Sequence, residues 1–550
     1  MRIRFDNAQI YDGTGSAPFR GSVLVDSGRI AAIVRDGSKP EAGRVIDTEG
    51  LALSPGFIDA HGHTDLLILE EAMPWAKLRQ GVTTEIFGQD GLSLAPLPFE
   101  HIGVWRDNLA QIEGRSEAMD WKFRDTAGYL DLLEKRGIGI NAAYLVPHGN
   151  LRLEVMGMAA RVATDTEIAA MGDVLQRELD GGGIGLSTGL LYLPSVHADV
   201  REMTELCKVA ARNKVPFAIH QRSEGDGILA SMEEAIAVAR GSGVHLHFSH
   251  FKLCGGGRYN EPLFPKMLRL IEEAEAEGIP VTFDQYPYAA GSTLFGSILP
   301  PFTREKGIKA MLEGLRDPAY RRRVIEEINA PPGGWDNFVA FCGLDGIFIA
   351  NVRSAKNRDA VGKNMRELGE MRGACPLEAA MDLIVEEENN VTMIDFYGKE
   401  EQVEELMRRP EMCAATDGLL LGTPHPRAYN AYARFLGEYV RERKVMPLEQ
   451  AVRKMTAKPA EIFAIPERGQ LREGYFADIV AFDPATVKDI GTFADPRRHP
   501  QGIALVMVNG AVAYGSAALL GNEYTAAEPA GKIIRNMQPK GAYPYGFRKN

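Results

Sequence analysis

The sequence predicts an α/β protein: a (β/α)8 TIM-type barrel carrying a small β-sandwich domain formed by both chain ends and a helical insertion before the last barrel strand. Three observations predict it. Eight short apolar runs alternate with helical stretches through the middle of the 550-residue chain, the pattern of parallel βα units. Strand-like segments punctuated by glycine fill the first fifty residues and recur only near the other end. Residues able to bind metal close several of the apolar runs, where a barrel carries its chemistry.

Residues 2–10, 22–25, 30–34 and 45–47 read as strands, set apart by Gly13, Gly15, Gly21 and Gly28. The same texture returns at 477–482 and 503–512, so residues 1–53 and 470–530 are assigned to one small β domain. Residues 54–469 then form a barrel inserted between its halves, with strands expected at 56–60, 83–88, 141–147, 183–188, 217–220, 245–250, 281–286 and 413–417. The seventh and eighth strands are separated by far more chain than a βα connection needs. Residues 293–410 are therefore expected to form a folded lid, helical at 318–329 and 376–388, with a turn at Pro331-Pro332-Gly333-Gly334. Residues 531–550 read as a tail laid on the surface.

Composition narrows the function. Apolar residues make up 45% and charged residues 25%, an ordinary globular balance. The formal net charge of −12 argues against a nucleic-acid partner. The start Met1-Arg2-Ile3-Arg4-Phe5-Asp6 lacks a secretion pattern, and no apolar run reaches membrane-spanning length, so a cytoplasmic location without membrane contact is expected. Five cysteines without zinc-knuckle spacing do not suggest a disulfide framework. No feature of the sequence bears on oligomeric state.

His61 and His63 end the run Ser54-Pro55-Gly56-Phe57-Ile58-Asp59-Ala60-His61-Gly62-His63. In extended chain, residues i and i+2 project from one face, so the two imidazoles can converge on one ion. Asp90 lies just past the second run, His220 ends the fifth, His250 the sixth, and Asp417 follows the eighth. Imidazole and carboxylate suit zinc with an open position for water. Such an ion activates water near neutral pH and polarises an amide carbonyl, while a neighbouring carboxylate, Asp417, moves the proton to the leaving nitrogen. His245 and His247 oppose His250 in strand parity and are expected to face the helical layer. His148, in Pro147-His148-Gly149-Asn150, stands at a strand end where it can reach substrate.

With these residues in view, the chain resembles the D-aminoacylase (N-acyl-D-amino-acid deacylase) family of the amidohydrolase superfamily. The resemblance extends to Gly81-Val82-Thr83-Thr84, Gly185-Leu186-Ser187-Thr188-Gly189-Leu190-Leu191-Tyr192-Leu193-Pro194, His220-Gln221-Arg222-Ser223-Glu224, Ser249-His250-Phe251-Lys252, the run from Asp284-Gln285-Tyr286 to Ser292-Thr293, and His425-Pro426-Arg427. It implies hydrolysis of N-acyl-D-amino acids to a carboxylate and a D-amino acid. It further implies that His61, His63, His220 and His250 face zinc and that Asp417 is the acid and base. Lys252, Tyr286, Ser292 and Arg427 would hold the substrate carboxylate, and Tyr192 would contact the scissile group. An Arg fork and a Lys point charge suit that anchor.

One position departs from the pattern. Where the family usually has a metal-binding cysteine, this chain reads Gly88-Gln89-Asp90-Gly91. Asp90 is a competent but harder ligand, which leaves one or two zinc ions, or another divalent metal, as the expected cofactor. The expected partner is a small-molecule substrate bearing a carboxylate. Two competing readings are a cyclic-amide hydrolase of the hydantoinase or dihydroorotase type and a non-catalytic amidohydrolase-like scaffold. The first commonly uses a carbamylated lysine, and Ser187-Thr188-Gly189 stands at the end of the fourth run instead. The second is disfavoured by the complete set of candidate ligands.

Overall fold

The structure, a computed structural model, describes residues 2–35, 37–110, 121, 123–256, 259–305, 307–331 and 333–536. Its centre is a parallel barrel of eight strands: β1 (Phe57–Asp59), β2 (Val82–Phe87), β3 (Asn141–Pro147), β4 (Gly185–Gly189), β5 (Phe217–His220), β6 (Leu246–Phe248), β7 (Val281–Gln285) and β8 (Met412–Ala414). Each strand pairs with the next, and β7 pairs with β8 across the whole insertion. The seam between β8 and β1 closes just beyond the strand ends, where Asp417 N donates to His61 O at 2.8 Å and Gly62 bridges Gly418.

Both faces of these strands are buried, which is why they read as near-continuous apolar runs. Phe57, Phe87, Val146, Phe217, Phe248 and Phe283 pack outward against the helices. Ile58, Ile86, Leu145, Ala218 and Cys413 fill the barrel interior. The outer helices begin at side-chain caps: Thr164 and Glu167 form a capping box ahead of Asp165–Asp180, and Asp199 caps Val200–Arg212.

Both chain ends enter one nine-stranded sheet. Ala52–Pro55, which leads into β1, pairs antiparallel with Ile479–Phe482. Ile3–Ile10 pairs with three strands, so the sheet folds over a shared core that includes Phe5, Val23, Ile479 and Leu505. The run expected as one strand at 503–512 is a hairpin of Ile503–Val508 and Ala511–Gly515. Its turn is Asn509-Gly510, both at positive φ (48° and 83°), the backbone that an Asn-Gly pair accommodates best.

The insertion has helices at Pro318–Asn329 and Pro376–Glu386 and its own apolar core. It also contains a three-stranded antiparallel sheet that the helical reading missed: Gly291–Leu294, Val391–Asp395 and Ile347–Val352, with Val391–Asp395 in the middle. Its pairings span roughly fifty to a hundred residues, beyond any local pattern. The tail also differs from expectation. Ile533–Ile534 pairs parallel with Ala142 and Ala143 of β3, and Ile534 joins the barrel-interior core rather than lying on the surface. Residues 537–550 and Pro332 of the expected turn lie outside the described residues. Among the described residues, no helix is long and apolar enough to cross a membrane.

Candidate metal centre

His61 and His63 leave the end of β1 over a wholly buried charge network. Lys77 Nζ lies 2.6 Å from Asp59 and 3.3 Å from Glu85, and donates to the Thr416 hydroxyl at 2.8 Å. Asp59 in turn accepts from the backbone N–H groups of His61 and Thr416. This ties the β1 and β8 ends together beneath the histidines. Gly62 is required between them, because a Cβ there would lie 2.0 Å from Glu85 Oε1. Asp90 follows β2 in a tight turn with φ 56°, a left-handed backbone that Asp tolerates better than most residues.

These turns bring the donors together. Asp90 Oδ2 is 3.5 Å from His61 Nε2, 3.6 Å from His63 Nε2 and 3.9 Å from His220 Nδ1, while its Oδ1 is 3.6 Å from His250 Nε2. Asp417 Oδ1 is 3.5 Å from His63 Nε2 and 3.9 Å from His61 Nε2. Three overlapping triads among the described residues, His61–Asp90–His250, His61–His63–Asp417 and His220–Glu224–His250, each offer ligand atoms within 4.8 Å of one another. His61 Nε2, His220 Nε2 and Asp90 Oδ1 are buried without a hydrogen-bond partner. Buried polar atoms are normally satisfied, and these converge from the ends of three strands, so the residues fit a divalent cation.

The electrostatics agree. Burial pulls His61 down, but Asp90 and Asp284 overcome it and raise the imidazole to about 10. Burial pushes Asp90 up, yet His61 and His250 hold it well below the carboxylate range. His220 is lowered to about 4, chiefly by burial, and is a neutral donor at pH 7. The centre therefore draws positive charge, and one divalent ion satisfies more of its donors than a proton can.

Beside the donors lies a cavity of about 50 Å³ whose wall includes Tyr192, Lys252, Tyr286, Ser292 and Arg427. His63, Asp90, His220, His250 and Asp417 open onto it, with His61 buried behind them. Arg427, only 1% exposed, pairs with Asp417 Oδ2 at 2.9 Å through Nη2, while its Nε and Nη1 have no hydrogen-bond partner. The guanidinium stacks over Tyr286 at 4.3 Å, and the Tyr286 hydroxyl meets that of Tyr397 at 2.8 Å. The Ser292 carbonyl accepts from Arg427 at 3.3 Å. The Tyr192 ring lies 4.8 Å from that of His220.

An amidohydrolase family profile matches residues 44–514. The chain is 34% identical over 526 residues to D-aminoacylase of Alcaligenes xylosoxydans xylosoxydans, covering 96% of each protein. The chain belongs to the amidohydrolase family, in its D-aminoacylase branch. The crystal structure of N-acyl-D-glutamate deacylase from Bordetella bronchiseptica, complexed with zinc and a phosphonate mimic of the tetrahedral intermediate, superposes with a TM-score of 0.81 at 32% identity, covering 97% of this chain and 99% of that one. A D-aminoacylase structure addressing the role of a binuclear metal centre gives 0.80 at 32% identity with the same coverage.

Within this amidohydrolase site, two sequence expectations fail. His247 faces the barrel interior, where its Nε2 meets Asp284 at 3.0 Å, and its neighbours Leu246 and Phe248 face the helices. His245 shares its contact with Thr282. The parity argument broke because β6 ends at Phe248 and His250 sits beyond it at φ 36°, turned out of strand register. His148 does not reach the cavity; it is buried between Thr188 and Glu202, each at 2.8 Å.

Two carboxylates went unassigned although both stood in the quoted motifs. Glu224 lies 3.0 Å from His250 Nδ1 and 2.6 Å from Lys252 Nζ, whose charge holds the carboxylate down at about 2 against its burial. Asp284 lies 3.5 Å from His61 Nδ1 and accepts from His250 N at 2.8 Å. Ligating histidines commonly direct their second ring nitrogen at a carboxylate, and that rule was the signal available. Asp395 and Tyr397, on the insertion, carried none.

Proposed function

We propose that this amidohydrolase deacylates N-acyl-D-amino acids, cutting a linear amide to give a carboxylic acid and a D-amino acid. The observation that carries the reading is Arg427: a buried guanidinium with two unsatisfied donor nitrogens beside a convergent His/Asp donor set. That pairing suits a substrate with a carboxylate close to a hydrolysable bond. The names of the similar proteins point the same way.

His61, His63, Asp90, His220 and His250 would hold the metal, zinc in this reading, with Asp90 in the place usual for cysteine. Bound there, the ion supplies an activated water and polarises the scissile carbonyl. Arg427 grips the substrate carboxylate through Nε and Nη1, with Lys252, Tyr286 and Ser292 on the same wall. Fixing the carboxylate and the carbonyl orients Cα, and the D preference then requires the wall to accept the side chain on one of the two remaining positions alone. Tyr192 packs against the reacting group and helps exclude water. Asp417 Oδ1, on the His63 side, takes the water proton and returns it to the leaving nitrogen, while Arg427 keeps the carboxylate ionised at rest. The chain divides into a β domain of 1–53 with 470–530, a barrel of 54–469 and a lid of 293–410, and works in the cytoplasm.

The test is chiral chromatography of products from N-acetyl-D-amino acids, N-acetyl-L-amino acids and hydantoins, with and without chelation and zinc add-back. Release of D-amino acids alone, lost on chelation and restored by zinc, is expected. Ring opening without deacylation, or turnover indifferent to chelation, would overturn the reading.

A further inference from the structure

The cavity wall carries more negative charge than an anchor for a carboxylate needs. Each of its two cations already faces a carboxylate, Lys252 with Glu224 at 2.6 Å and Arg427 through Nη2 with Asp417 at 2.9 Å, while Arg427 keeps Nε and Nη1 for an incoming anion. Asp336, also on the wall, is satisfied by the Ser223 hydroxyl and by the backbone N–H of Glu224 at 2.7 Å. Asp395 is different. It ends the central strand of the insertion sheet and is only 2% exposed. It lines the cavity without a hydrogen bond or ion pair among the described residues. Its register partner is Gly291, where a Cβ would lie 3.2 Å from Asp395 Oδ2 and 3.0 Å from the Tyr397 ring, so the absent side chain leaves room for the carboxylate.

A buried carboxylate without a partner is costly, and one kept in a ligand-binding wall calls for a partner that arrives with the ligand. We infer that Asp395 selects N-acyl-D-amino acids whose side chain carries a cationic nitrogen, as in lysine, ornithine or arginine, by accepting that group's hydrogen bonds. Burial pushes Asp395 up to about 7, with Lys252 and Arg427 pulling it down and Glu224 and Asp417 pushing it up, so an incoming cation would complete its ionisation. The preference is opposite in charge to that in the name of the Bordetella bronchiseptica relative. The inference rests on the deacylase reading.

The experiment compares kcat/KM for N-acetyl-D-lysine and its neutral isostere N-acetyl-D-norleucine in the zinc-loaded protein and in Asp395→Asn. A charge-assisted hydrogen bond in a dry site should favour the lysine derivative by about tenfold or more, mainly through KM, and Asp395→Asn should collapse that ratio toward unity. A second measurement does not depend on the variant folding: D-lysine should inhibit the wild-type protein at a concentration about tenfold lower than D-norleucine does. A wild-type ratio near one, equal inhibition by the two products, or a ratio untouched by Asp395→Asn would overturn the inference. Hydrolysis of norleucine without a lysine preference would sink this inference alone. No hydrolysis of either would refute the deacylase reading with it.

Discussion

Replacing Arg427 with methionine separates substrate anchoring from chemistry. The guanidinium is buried, its Nη2 is occupied by Asp417, and its Nε and Nη1 remain for a ligand carboxylate. Hydrogen bonds to charged groups contribute about 1.5–3 kcal/mol each, so two bonds amount to about 3–6 kcal/mol. At about 1.4 kcal/mol per factor of ten, kcat/KM should fall by at least about a hundredfold. The same change also releases Asp417, so a single comparison would mix two effects. A cycle resolves them: N-acetyl-D-methionine and its decarboxylated counterpart, N-acetyl-3-(methylthio)propylamine, are assayed with the wild-type protein and Arg427→Met. Effects on Asp417 act on both substrates and cancel, leaving the coupling between guanidinium and carboxylate. The wild type should prefer the carboxylate substrate by about a hundredfold or more and the variant by less than about tenfold. Equal discrimination by both proteins would refute the assignment of Arg427 as the anchor.

Asp417→Asn should lower kcat by about 10²–10⁴-fold while the purified protein keeps its metal content, measured by atomic emission; near-normal turnover would remove Asp417 from the proton path. Lys77→Met leaves Asp59 and Glu85 buried without their cation, so urea unfolding should show a loss of about 3–5 kcal/mol, much of it recovered in Lys77→Met/Glu85→Gln; a loss within experimental error would show the network to be dispensable. Because burial raises Asp395 from 3.8 to about 7, the folded state holds its proton more tightly than the unfolded chain. Unfolding free energy should therefore decline as pH rises between those values, and the decline should be shallower in Asp395→Asn. Parallel stability profiles for the two proteins would contradict this.

The barrel was legible because its signal is local. Eight apolar runs separated by helical stretches need no knowledge of partners, and a polar residue closing such a run lies at the mouth whatever the distant pairing. That local fact placed His61, His63, His220, His250 and Asp417 on one rim. The insertion sheet was not legible. Gly291–Leu294 is four residues long and finds its partner a hundred residues later, so periodicity had nothing to register.

Within the site, the residue types and their strand ends belong to the sequence by itself, as does the Asp90 substitution. The tertiary structure alone decided which charges meet. Glu224 against Lys252, Arg427 against Asp417 and Asp395 in the cavity wall depend on loops from different strands crossing the same mouth. The strand ends at Phe248 and the positive φ at His250 takes that residue out of strand register, so His247 and His250 both face inward despite opposite parity. Burial and alternation are properties of neighbours in the chain; electrostatic partnership is a property of neighbours in space, and only the closed barrel brings the latter together.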